Sequence, residues 1–228
     1  MTKSLFSTVG AVVAVGAFAS VAMVSASSAA TVTVDYQNAS NPFGSPNLSR
    51  YVRISSPQYN GGTRAGPFRL TGDGGMGDFV AFCVDLGKYL ANGQSYTTAS
   101  NSNFGGAVDT NIDKLFTSAY SGVSTQVEGA AFQVALWEII TDTGSGFDLT
   151  SGNFSVQLAG YSAAVINQAS SYLSGLASAA TGGYNLTFLN SGTSQNLVTV
   201  SPVPLPAAAG MLGFGVLALF GLRRRKNA

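Results

Sequence analysis

Phe79-Val80-Ala81-Phe82-Cys83-Val84-Asp85-Leu86 is apolar at every position except Asp85. A short apolar run rich in aromatic and branched side chains, entered from a Gly-rich turn at 73–78, predicts a strand buried on both faces. This strand lies in the sheet interior, and the rest of the chain is arranged about it. Upstream, Thr31-Val32-Thr33-Val34-Asp35-Tyr36 alternates as a half-buried strand does, and residues 51–55 and 67–71 read as two more strands. Residues 38–50 carry Pro42, Gly44 and Pro46 and read as a turn-rich connection, and Asn60-Gly61-Gly62 reads as a turn.

Downstream the period changes. Residues 111–120 place Ile112, Leu115, Phe116 and Ala119 on one helical face. Thr125 and Glu128 are spaced as a capping box, and the helix they open runs to about 141, with a stop near Gly144. Residues 162–179 give a third helix with Val165, Ile166, Tyr172, Leu173 and Leu176 inward. Residues 147–149 are a short strand or loop between the last two helices. Residues 184–189 and 195–200 form a closing hairpin. Strands at both ends with a central helical insert predict a single α+β domain, mostly antiparallel, over residues 31–200.

The two ends of the chain have a different character. Lys3 is the only charge among residues 1–30, residues 9–24 are apolar, and Ser28-Ala29-Ala30 supplies small residues for a signal peptidase. That is a secretory signal peptide, with cleavage after Ala30. Residues 201–228 hold Val203-Pro204-Leu205-Pro206-Ala207, then an apolar run over 207–222, then Arg223, Arg224, Arg225 and Lys226. The prolines fix φ and lack backbone donors, so a helix starts only after them. Sixteen helical residues rise ~24 Å, short of the ~30 Å hydrocarbon core. Snorkelling arginines make up the difference and hold the chain end cytoplasmic as a membrane stop. This tail resembles the VPLPA variant of the PEP-CTERM sorting signal. Leu205 stands where the namesake motif has Glu. The resemblance implies a Gram-negative exopolysaccharide producer, export by the Sec machinery, transient residence in the inner membrane, and processing by an exosortase-type enzyme. The destination is the cell surface or extracellular matrix.

Composition narrows the chemistry. The 228 residues include no His, one Cys, 10 acidic and 11 basic residues. Four of the basic residues close the tail, so no basic face remains for nucleic acid. The absence of His removes Ser-His-Asp and Cys-His catalysis and His-ligated zinc. Asp109, Asn111 and Asp113 begin like a calcium loop, but Lys114 and Tyr120 occupy the Gly and bidentate Glu positions. The carboxylates show no pair at glycosidase spacing. We therefore expect no cofactor, no metal and no enzymatic turnover.

One constellation remains. On the predicted second helix, Gln133 falls on an apolar stripe between Trp137 and Ile140. A buried carboxamide needs partners or costs about 1–3 kcal/mol. Two solutions are open. Gln133 hydrogen-bonds a strand edge or loop carbonyl, and Cys83 is an ordinary buried thiol. Alternatively, the Cys83 thiol attacks the Gln133 carboxamide, expels ammonia and leaves an internal thioester. Phe82-Cys83-Val84-Asp85 and Gln133-Val134-Ala135-Leu136-Trp137 resemble the two signatures of the Cys–Gln thioester domains of bacterial surface adhesins. Phe132 replaces the Thr often found before the Gln, and those adhesins usually sit on Gram-positive walls. The resemblance implies covalent adhesion, in which an amine on a target surface or exopolysaccharide opens the thioester. Phe82 and Trp137 are expected to wall the site from water. Asp85, on the Cys83 face of an ideal strand, and Glu138 are the candidate proton acceptors. The alternative function is a non-covalent structural protein of the exopolysaccharide layer with a free thiol.

Overall fold

The computed structural model describes residues 29–143, 146–157 and 162–202. In chain order the elements are β1 (Thr31–Tyr36), β2 (Arg50–Ser55), β3 (Asn60–Ala65), β4 (Phe68–Gly72), β5 (Gly77–Cys83) and β6 (Gln94–Ala99). Then come α1 (Gly106–Ala119), a single 3-10 turn at Tyr120–Gly122, α2 (Gln126–Thr141), β7 (Ser155–Val156), α3 (Ala163–Gly175), β8 (Tyr184–Asn190) and β9 (Leu197–Pro202). Six strands close into an antiparallel barrel in the order β1-β4-β5-β9-β8-β6. Closure leaves these strands no unpaired edge. A second antiparallel sheet has the order β3-β2-β7. The class is α+β, mostly antiparallel, and among the described residues the three α-helices lie between β6 and β8. Among the described residues no helix is long and apolar enough to cross a membrane. All but the last two residues of the expected leader, 1–30, lie outside the described residues, as do the expected sorting motif, membrane helix 207–222 and basic end.

The organising strand is shorter than expected. β5 stops at Cys83, where it pairs with Leu197, and Val84 N–H makes a last bond to Asn196 O at 2.9 Å. Only Ala81, Phe82 and Cys83 of this strand are buried, while Phe79 and Val80 are half-buried. Asp85 ends the run: its carboxylate accepts from Gly87 N–H at 2.8 Å, a local turn that competes with continued pairing.

α2 is the central helix. Thr125 Oγ1 accepts from Glu128 N–H at 3.2 Å, and the Glu128 carboxylate accepts from Thr125 N–H at 2.8 Å, so the capping box forms. Every residue from Gly129 to Ile139 is buried. A helix buried all round has no solvent face, so the stripe expected from the helical wheel is in fact a full buried circumference, with Gln133 and Glu138 as its polar members. Gly129 marks the tightest crossing: a Cβ there would stand 2.2 Å from Leu48 O.

Three strands depart from the sequence reading. Residues 60–65 are a strand, and the turn falls one step earlier, closed by Ser56 N–H to Tyr59 O at 2.8 Å. Gly61 and Gly62 suit this strand because tyrosine rings occupy their side-chain space. A Cβ on Gly62 would meet the Tyr51 hydroxyl at 1.5 Å, and Tyr59 Oη donates to Gly62 O at 2.7 Å. β6 carries few apolar residues and is anchored by one buried aromatic, Tyr96. Residues 147–149 are loop, one of the two forms expected there, and a short strand not expected from the sequence lies at 155–156, where Val156 N–H bonds back to Leu149 O at 2.8 Å.

Candidate functional site at the end of strand β5

The end of β5 meets the middle of α2. Cys83 and Gln133 are each 1 % exposed. The Gln133 carboxamide lies against the Cys83 backbone: Nε2 donates to Cys83 O at 2.8 Å, and Oε1 accepts from Cys83 N–H at 2.9 Å. Residues 50 apart in the chain are thus joined by two hydrogen bonds. β5 gains a side-chain partner at its terminus, where a buried polar backbone must be paired.

The sulfur has its own surroundings. Cys83 Sγ donates to Asp85 O at 3.1 Å and accepts from Asp85 N–H at 3.4 Å. Burial pushes the thiol pKa up to about 12, against smaller opposing effects from the Asp85 backbone and the Trp137 indole N–H. Trp137 Nε1–H is buried near the sulfur and favours its thiolate, yet it makes no hydrogen bond of normal geometry. Beside Cys83 lies a cavity of about 200 Å³. Its walls include Phe43, Phe68, Tyr89, Leu90 and Trp137, and the cations Arg64 and Lys88 also border it. Gln195 lines it too, and Gln195 Oε1 is buried without a partner. Gln195 carried no signal in the sequence, where it reads only as the first residue of a hairpin strand. Its place beside Cys83 follows from the 191–196 loop, which is held by Gln195 N–H to Tyr89 O at 3.3 Å.

The auxiliary residues divide. Trp137 walls the cavity. Phe82 does not line it: side chains alternate along a strand, and the Phe82 ring packs with Phe132, Phe116 and Tyr120 at centroid distances of 4.5, 5.8 and 6.1 Å. Full burial of each such ring stabilises the fold by about 1.5–3 kcal/mol. Asp85 lies beyond the strand end, so the ideal-strand geometry does not apply. Its carboxylate holds Gly87 N–H, lies 3.7 Å from Lys88 Nζ, and borders a different pocket. Its charge nevertheless reaches the sulfur and opposes ionisation there.

Glu138 faces away into the 146–157 segment. Its Oε1 accepts from Asp148 N–H at 2.8 Å, while Oε2 is buried without a partner. Burial first, and then the nearby Asp142 and Asp148 charges, raise its pKa to about 7. Neither carboxylate is held against the sulfur by a hydrogen bond. Among the described residues no group of three acidic or thiol side chains is placed to hold a metal ion.

No protein-family model and no curated protein matches the chain. Among solved structures, the fold is similar to the N-terminal domain of the Streptococcus pyogenes pilus tip adhesin Cpa, at 17% identity and a TM-score of 0.48, over 76% of this chain and 94% of that one. It is also similar to the N-terminal thioester domain of a surface protein from Clostridium perfringens, at 12% identity and a TM-score of 0.41, over 76% of this chain and 100% of that one.

Proposed function

We propose that this is an exported, exosortase-sorted surface or matrix protein that attaches covalently to its target through an internal Cys83–Gln133 thioester. The leader and the VPLPA tail support the export reading. One observation carries the chemistry: the Gln133 carboxamide is held by the Cys83 backbone itself, in a dry interior, while Cys83 opens on a cavity. Holding two reacting groups together replaces a bimolecular encounter by an intramolecular one.

In the first step the sulfur attacks the carboxamide carbon. A C–S bond forms, the C–N bond breaks, and ammonia leaves with the thiol proton. In the second step a target amine attacks the same carbon. A C–N bond forms, the C–S bond breaks, and the amine proton ends on the Cys83 sulfur. That sulfur serves as its own proton acceptor, because burial makes its thiolate strongly basic. No histidine is needed, and neither is the Asp85 or Glu138 carboxylate. The product is an amide joining Gln133 to the target, and the event happens once per molecule.

The intact mass of the mature protein from its producer tests this reading. We expect a deficit of one ammonia, abolished in Cys83→Ala. The same measurement reports whether the chain starts at Thr31 and ends near the proline motif. A full-mass chain with a titratable thiol rejects the thioester. It would leave the second reading, a non-covalent matrix protein, which one observation favours: the Gln133 carboxamide already has a partner at both ends.

A further inference from the structure

We propose that Gln195 is the nucleophile-positioning residue of this site, with its Oε1 accepting a hydrogen bond from the attacking amine in the cavity beside Cys83. The inference rests on the thioester reading and adds a residue to it. Two residues that line this cavity carry a buried polar atom with no hydrogen bond of normal geometry: the acceptor Gln195 Oε1, and the donor Trp137 Nε1–H, which acts on the Cys83 sulfur from a side chain only 3 % exposed. Natural interiors rarely leave such groups unpaired. Here the two are complementary in kind, one acceptor and one donor, on residues that line the same cavity as Cys83.

The balance of protons assigns their tasks. A primary amine bonded to the Gln133 carbon carries two N–H groups. One proton goes to the departing Cys83 sulfur, and the second N–H is free to donate to Gln195 Oε1. The Trp137 N–H faces the sulfur, where negative charge grows as the C–S bond breaks, so it stabilises the departing thiolate. A secondary amine has only one N–H at that stage. It must spend that proton on the sulfur and leaves Gln195 unpaired. The site therefore discriminates by hydrogen count and not by size, since a 200 Å³ cavity holds either methylamine or dimethylamine. Arg64, bordering the same cavity, disfavours an ammonium ion there, while the Lys88 charge is offset by Asp85 at 3.7 Å.

The test uses the mature protein from its producer and follows its aminolysis by intact mass, with methylamine and dimethylamine as probes. In the unaltered domain methylamine reacts faster. Gln195→Met removes the acceptor at similar size, so the methylamine rate falls roughly threefold to tenfold, the worth of one hydrogen bond, and the dimethylamine rate holds. Gln195→Glu keeps an acceptor and restores the preference. Trp137→Phe keeps a ring, loses the N–H and slows both amines alike. An unchanged methylamine-to-dimethylamine ratio in Gln195→Met overturns the role of Gln195 and leaves the thioester standing. A domain with no ammonia deficit before any amine is added overturns both.

Discussion

Gln133 grips the backbone of Cys83 and not its side chain: Nε2 lies 2.8 Å from Cys83 O, and Oε1 lies 2.9 Å from Cys83 N. The two residues are therefore unequal under mutation. Cys83→Ala removes the sulfur and keeps both hydrogen bonds. Gln133→Ala removes a side chain and strands a buried N–H and a buried C=O. Urea unfolding should find Gln133→Ala less stable than Cys83→Ala by about 1–3 kcal/mol, the cost of unsatisfied buried groups. Any cross-link between the two is lost in both variants, so it cancels from the comparison. Equal stabilities would mean that the carboxamide contributes nothing as a backbone partner.

Glu138 gives the fold a pH dependence of defined sign. Its pKa in the folded protein is raised to about 7 from an ordinary 4.5 by burial. The folded state thus holds a proton that the unfolded chain releases, and stability falls wherever that difference exists. It is greatest below about pH 4.5 as far as this group is concerned, declines as pH rises towards 7, and levels off above. Glu138→Gln keeps an oxygen for Asp148 N–H and carries no charge. Melting temperatures from pH 5 to pH 8 should decline for the natural protein and stay flatter for Glu138→Gln. Parallel profiles would remove Glu138 as the cause.

Gly129 lets α2 cross the 47–49 segment at van der Waals contact. Alanine is the better helix former by ~1 kcal/mol, so an exposed Gly→Ala change in a helix stabilises. Here the added Cβ would meet Leu48 O at 2.2 Å, and a backbone atom cannot swing aside. Gly129→Ala should therefore destabilise the domain by about 1–3 kcal/mol, the usual cost of overpacking. A raised melting temperature would show that the crossing yields freely.

The sequence revealed most where a residue type is rare or a local motif is strong. A single Cys in a strongly apolar strand, and a Gln on an otherwise apolar helix, pointed to the two elements that meet. The Thr125–Glu128 capping box located the start of α2 because its hydrogen bonds are local. What stayed hidden was decided by tertiary contact. β3 looks like a turn because Gly61 and Gly62 are turn residues, and only the rings of Tyr51 and Tyr59 explain them in a strand. β6 is too polar to announce itself, since only Tyr96 carries its burial. Ideal strand geometry puts Asp85 on the Cys83 face, but β5 ends at Cys83 and the Asp85 carboxylate folds back on Gly87. Gln195 reached the cavity through a loop whose shape no periodicity encodes.

That loop is fastened by Ser194, and the fastening has a measurable weight. Ser194 Oγ accepts from Ala91 N–H at 3.0 Å and from Tyr96 Oη–H at 2.8 Å, and it donates to Tyr89 O at 3.4 Å. One hydroxyl thus ties the 86–91 segment, the barrel strand β6 and the 191–196 loop together, and two of these three border the cavity. Tyr96→Phe removes one of the three bonds, leaves Ser194 partnered, and should cost about 0.5–1.5 kcal/mol. Ser194→Ala orphans the Tyr96 hydroxyl and the Ala91 N–H together and should cost more, about 1–3 kcal/mol. Hydrogen exchange at Ala91 N–H separates the two. It should quicken sharply in Ser194→Ala and little in Tyr96→Phe, whereas equal protection in both would place the fastening elsewhere in the loop.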